Sequence, residues 1–94
     1  MIPTPITEYV LSPHAEKEIS RRGLSQDMIR TVLEKPEQQE KVREGRIVVQ
    51  RRIYINESAR MYLIRVFVDI DRRPPEIVTA YRTSKIEKYW REEP

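Results

Sequence analysis

The sequence has no cysteine, one histidine, one tryptophan, one phenylalanine and two glycines in 94 residues. Without cysteine there can be no disulfide, no thiolate nucleophile and no thiolate metal site, which suits a reducing compartment. A single histidine makes a zinc site a poor expectation, and no cofactor is expected. No stretch approaches the roughly 20 apolar residues of a membrane span. The opening MIPTPITEYVLS lacks a basic stretch followed by an apolar one, so a cytoplasmic protein with no membrane partner is expected.

What is present is charge. Charged residues are 35% and hydrophobic residues 38% of the chain, enough apolar material for one modest core and one domain over 1–94. So thin a core leaves room for a protein partner or an oligomer to add stability. The net charge of +3 is unevenly spread: residues 1–45 carry seven Lys/Arg against eight Asp/Glu, and residues 46–94 carry eleven against seven. Most of the later cations are arginine. Its planar fork suits phosphate, so nucleic acid, RNA in particular, enters as a partner class.

The pattern predicts an α+β fold, with two N-terminal helices packed on a three- to four-stranded antiparallel sheet and a short C-terminal helix. Residues 1–8 read as an extended lead-in and 9–92 as the domain, with Tyr9 and Leu11 in a brief edge strand. Ser12 followed by Pro13 predicts a helix start and Gly23 its left-handed end. Ser25 caps a second helix whose stripe is Met28, Ile29, Val32 and Leu33, stopped by Pro36. EQQEKVRE is a short edge strand, and RIVVQRRIYIN, RMYLIRVFVDI and EIVTAYR form a meander, the middle one apolar on both faces and hence central. Ser84 to Glu87 reads as a capping box for a last helix whose face holds Ile86, Tyr89 and Trp90.

Pairing Asn56 with Ala59, and Asp69 with Glu76, collects one apolar face that includes Ile53, Ile64, Val66, Ile77, Thr79 and Tyr81, interrupted by Arg51. That face is assigned to the helices. The other then gathers Gln50, Arg52, Arg65 and Arg82 beside a row of Val48, Phe67 and Val78. Such a cluster either binds phosphate or pairs with acids such as Glu87. Arg51 belongs with the basic set, or marks a bulge. His14 stands at a helix start, where the positive dipole end favours the neutral imidazole; it serves as a base, or else bonds to Glu18.

Ser12, His14, Ala15, Arg22, Gly23, Leu24 and Ser25 resemble the S-x-H-A…R-G-I/L-S opening of a family of small bacterial domains of unknown function. Ile77 to Lys85 resembles its closing I-V-T-x-Y-x-T-S-K strand. That family is similar in layout to the RelE, ParE and BrnT toxins. The resemblance implies a metal-independent ribonuclease toxin neutralised by a small antitoxin. Taken with the basic sheet face, it makes His14, Arg65 and Tyr81 the catalytic candidates and puts Arg51, Arg52, Arg65 and Arg82 on nucleic acid. A ParE-like gyrase inhibitor and a non-catalytic protein- or nucleic-acid-binding module on the same fold are the alternatives. The family pattern has Arg where this chain has Glu18.

Overall fold

The structure is a computed structural model that describes residues 3–92. A two-residue strand β1 (Val10–Leu11) precedes helices α1 (Pro13–Arg21) and α2 (Gln26–Glu34). Strands β2 (Gln38–Arg43), β3 (Arg46–Ile55), β4 (Arg60–Asp69) and β5 (Glu76–Thr83) follow, then the short helix α3 (Ile86–Tyr89). The sheet has five strands in the order β1-β5-β4-β3-β2. It is mixed: β1 runs parallel to β5 while the other pairs are antiparallel. The expected three to four antiparallel strands are thus corrected to five, the parallel edge being too short for its direction to show in sequence.

The helix caps form as their residues dictate. The Ser12 hydroxyl accepts from the Ala15 N–H at 3.0 Å, and the Ser25 hydroxyl from the Met28 N–H at 3.1 Å. Gly23 takes φ +73°, which lets the Leu24 N–H reach the Ile19 carbonyl and the Gly23 N–H reach that of Ser20. This double closure needs a left-handed residue and is where glycine is required. The expected Ser84–Glu87 box does not form. Helix α3 starts after Lys85 with no side-chain cap, and the Thr83 hydroxyl accepts from the Lys85 N–H instead.

Both helices cover one face of the sheet. Ala15 and Ile19 of α1, with Ile29, Val32 and Leu33 of α2, pack against Ile47, Val49, Ile64, Val66, Val68, Ile77 and Ala80. β4 is the middle strand, and Leu63, Ile64, Val66 and Val68 are fully buried along it. No helix among the described residues is long and apolar enough to cross a membrane.

The β3–β4 register is the expected one, with Val49 opposite Val66 and Ile53 opposite Tyr62. The β4–β5 register begins as expected, Asp69 opposite Glu76 and Val68 opposite Ile77, and then slips: Phe67 faces Thr79, Arg65 faces Tyr81 and Ile64 faces Arg82. Val78 is the extra residue of a bulge, so every later side chain of β5 changes face. Ala80 turns in against the helices, and Thr79 and Tyr81, expected there, turn out.

A candidate anion site on the second face of the sheet

The bulge rearranges the arginine cluster. Arg65 keeps its place on the face away from the helices and gains Tyr81. Arg82 leaves it for the helix side, where its guanidinium lies 5.1 Å from the Tyr62 ring centroid. Arg51 also lies on the helix side and donates to the Lys35 carbonyl at the end of α2 at 2.9 Å. It serves as a helix terminator. Arg52 shares Arg65's face but is held by Glu37, to which it donates through Nε at 3.1 Å and Nη2 at 3.0 Å. That hydrogen bond holds the Glu37 carboxyl below its ordinary value against a smaller opposing effect of burial. The expected partner Glu87 is not used.

Arg65 is different. It is half-buried, and its Nε donates to the Gln50 side-chain oxygen at 2.9 Å while Nη1 donates to the Tyr81 hydroxyl at 2.7 Å. Both partners are neutral, and among the described residues no carboxylate pairs with it. Among the described residues Nη2 makes no hydrogen bond. No buried side-chain nitrogen or oxygen is left without a partner among the described residues, so Nη2 is not fully shut off from solvent. The guanidinium also lies 4.4 Å from the Tyr89 ring centroid and 5.5 Å from that of Phe67. Two arms fixed by neutral groups and one left open describe a preorganised receptor for an anion.

The far wall of the site is the C-terminal segment, which lies across this face. Tyr89 packs edge-on to Tyr81 with centroids 6.2 Å apart, and Lys88 Nζ is 5.4 Å from the Tyr89 ring. The Tyr81 hydroxyl beside it, and after that the Lys88 and Arg65 charges, hold the Tyr89 hydroxyl below the ordinary tyrosine value, although burial opposes this. Trp90 lies 4.0 Å beneath the Arg52 guanidinium. The buried Gln50 donates to the Tyr89 carbonyl at 3.1 Å and to the Gln38 side-chain oxygen at 2.7 Å. Gln38, also buried, bonds both the N–H and the carbonyl of Arg91.

His14 stands apart from this group. It is exposed on α1, which packs on the opposite face of the sheet. Glu18, its expected partner, binds Arg21 and Arg22. Sequence reasoning placed Gln50 beside Arg65 but missed its pairing with Gln38 and the docking of Tyr89 against the cluster. The available signal was Gln50 itself, a polar residue that directly follows the apolar run Ile47–Val49 and is buried with it.

The two resembling ends of the chain meet. Arg22 of the opening motif donates to the Ala80 carbonyl at 2.9 Å and the Thr79 hydroxyl at 3.2 Å in the closing strand. No curated protein and no solved structure matches the chain. Residues 11–82 match a family described as a domain of unknown function, DUF4258, whose span runs from the end of β1 to the bulged strand, and the chain belongs to that family.

Proposed function

We propose that the chain is a metal-independent ribonuclease of the toxin kind, which binds the phosphate of single-stranded RNA at Arg65. The observation that carries this reading is the Arg65 guanidinium, fixed at 2.9 Å and 2.7 Å by Gln50 and Tyr81 with no acid among the described residues to neutralise it. A phosphate oxygen on Nη2 meets a fixed positive charge, and Lys88 adds a second nearby. Half-buried rings at Phe67, Tyr81 and Tyr89 supply the flat apolar surfaces on which unpaired bases stack.

In this reading the ionised form of Tyr89, favoured by the Tyr81 hydroxyl and then by the Lys88 and Arg65 charges, takes the proton from the ribose 2′-hydroxyl in place of His14 and becomes the neutral phenol. The 2′-oxygen attacks phosphorus, the bond to the 5′-oxygen breaks with that oxygen protonated from solvent, and a 2′,3′-cyclic phosphate remains. Arg65 stabilises the charge that grows on the phosphoryl oxygens. A small antitoxin protein that covers this face is the expected partner. The test is a time course of single-stranded RNA with purified protein and a chelator. RNA left intact at stoichiometric protein, with or without added metal, rejects the reading; loss of DNA gyrase supercoiling instead supports the ParE-like alternative.

A second reading, a non-catalytic binding module, is favoured by Tyr54 and Met61. They face each other across β3 and β4 on the same side of the sheet and are 53% and 44% exposed. A protein partner recovered with intact RNA-cleavage silence, and lost on Tyr54→Ser, supports it.

A further inference from the structure

We infer that Gln38 and Gln50 are the positioning residues of the Arg65 anion site: their two side-chain amides clamp residues 89–91 onto the sheet and so keep the site's far wall in place. The inference rests on the phosphate-binding reading of Arg65 but not on cleavage.

Helix α3 has four residues and no side-chain cap, far too short to be stable by itself. Something else must hold it. The Arg91 N–H donates to Gln38 Oε1 at 3.1 Å and the Arg91 carbonyl accepts from Gln38 Nε2 at 2.6 Å. One carboxamide thus offers a donor and an acceptor side by side, as a neighbouring strand would. The Tyr89 carbonyl accepts from Gln50 Nε2, while Gln50 Oε1 accepts from Arg65 Nε. A continuous chain of hydrogen bonds therefore runs from the Arg91 backbone through Gln38 and Gln50 to the Arg65 guanidinium.

The chain has one direction. Turning the Gln50 amide over would set its oxygen against the Tyr89 carbonyl and the Gln38 oxygen, and its NH2 against the Arg65 donor. Neither methionine nor glutamate supplies both halves of the amide. At 7% and 3% exposed, the two glutamines exchange little with water, so the segment and the guanidinium are fixed together or released together.

The experiment uses Trp90, the only tryptophan, as the reporter of docking. Its emission and iodide quenching are measured in the whole chain, beside binding of a 2′-O-methyl single-stranded oligonucleotide that cannot be cleaved. Gln38→Met removes the clamp from the sheet side. Arg91→Pro removes the backbone N–H, together with the side chain, from the exposed side, and Trp90 at φ −74°, ψ 130° already has the extended backbone a following proline requires. Arg91→Ala keeps that N–H and controls for the side chain's ion pair with Glu40.

Gln38→Met and Arg91→Pro are expected to expose Trp90 and to weaken oligonucleotide binding by the same factor as the fall in docked population, on the order of tenfold, with Arg91→Ala closer to the parent. Release of Trp90 with affinity unchanged or raised overturns the inference. So does loss of affinity with Trp90 still docked, or a parent protein that binds no oligonucleotide. Should Gln38→Met fail to fold, Arg91→Pro decides. Binding that behaves as described without any RNA cleavage leaves the inference standing and removes only the ribonuclease reading.

Discussion

Arg65 meets the Tyr81 hydroxyl at 2.7 Å because β5 carries one residue more than its partner: Val78 has no opposite number on β4, and Tyr81 crosses to the arginine's face. A site and a core position are exchanged by that single insertion, since Ala80 enters the core as Tyr81 leaves it.

Tyr81→Phe keeps the ring and removes the acceptor that fixes one arm of Arg65. Stability is expected to fall by about 1 kcal/mol, and oligonucleotide affinity several-fold. Chemical denaturation and a binding titration measure the two effects. An unchanged affinity would show that Arg65 needs no orienting hydroxyl.

Arg65→Gln is expected to abolish RNA binding and cleavage together, whereas Tyr89→Phe should leave binding nearly intact and stop cleavage. His14→Ala is expected to do neither, because His14 stands on a helix behind the sheet. Cleavage rates and affinities measured side by side separate these outcomes. A His14 variant that is as inactive as the Arg65 variant would contradict this assignment.

Acid should weaken the fold through Asp69. Its side chain is 6% exposed and accepts from Arg46 at 2.6 Å, and this hydrogen bond holds its carboxyl below the ordinary value. The folded pKa is depressed, so the contribution is complete above the unfolded value of about 3.9 and is lost as the pH falls through the folded one. Glu37, held by Arg52, acts in the same sense. Stability should be level from about pH 5 upward in this respect and decline below. Asp69→Asn is expected to cost about 1–3 kcal/mol at neutral pH and to flatten the acid decline, as read from melts across pH.

Ile64 is fully buried at the centre of the middle strand. Ile64→Ala is expected to cost about 2–5 kcal/mol, a large part of the stability of a chain this short. Urea unfolding gives the value.

Much of this architecture was legible in the residues. Ser12, Gly23 and Ser25 announced the helix ends because capping is local chemistry. The β3–β4 register was legible because Ile47, Val49, Ile53 and Ile55 mark one face of β3, broken only at Arg51, and a short turn joins it to β4. The bulge was not, because Ile77, Thr79 and Tyr81 make as plausible an inward row as Ile77 and Ala80; only the depth of α1, which admits alanine and not tyrosine, decides between them. Arg65 and Tyr81 were both named from sequence, yet on opposite faces. The docking of residues 89–91 depends on side-chain amides bonded to a distant backbone, a relationship with no periodic signature. Ser84 and Glu87 had the right spacing for a cap, but the helix they would have opened begins one residue later and is only one turn long.

The brevity of β1 has a further consequence. It pairs with β5 only at Glu76 and Ile77, so among the described residues the rest of that edge has no strand beside it, the kind of edge that can template the addition of another chain. The Arg22 guanidinium sits on that border at the Ala80 carbonyl. One exposed side chain thus doubles as a plug against fibre-like growth. Its replacement by alanine should reveal itself first as concentration-dependent turbidity, before any loss of helix or sheet signal.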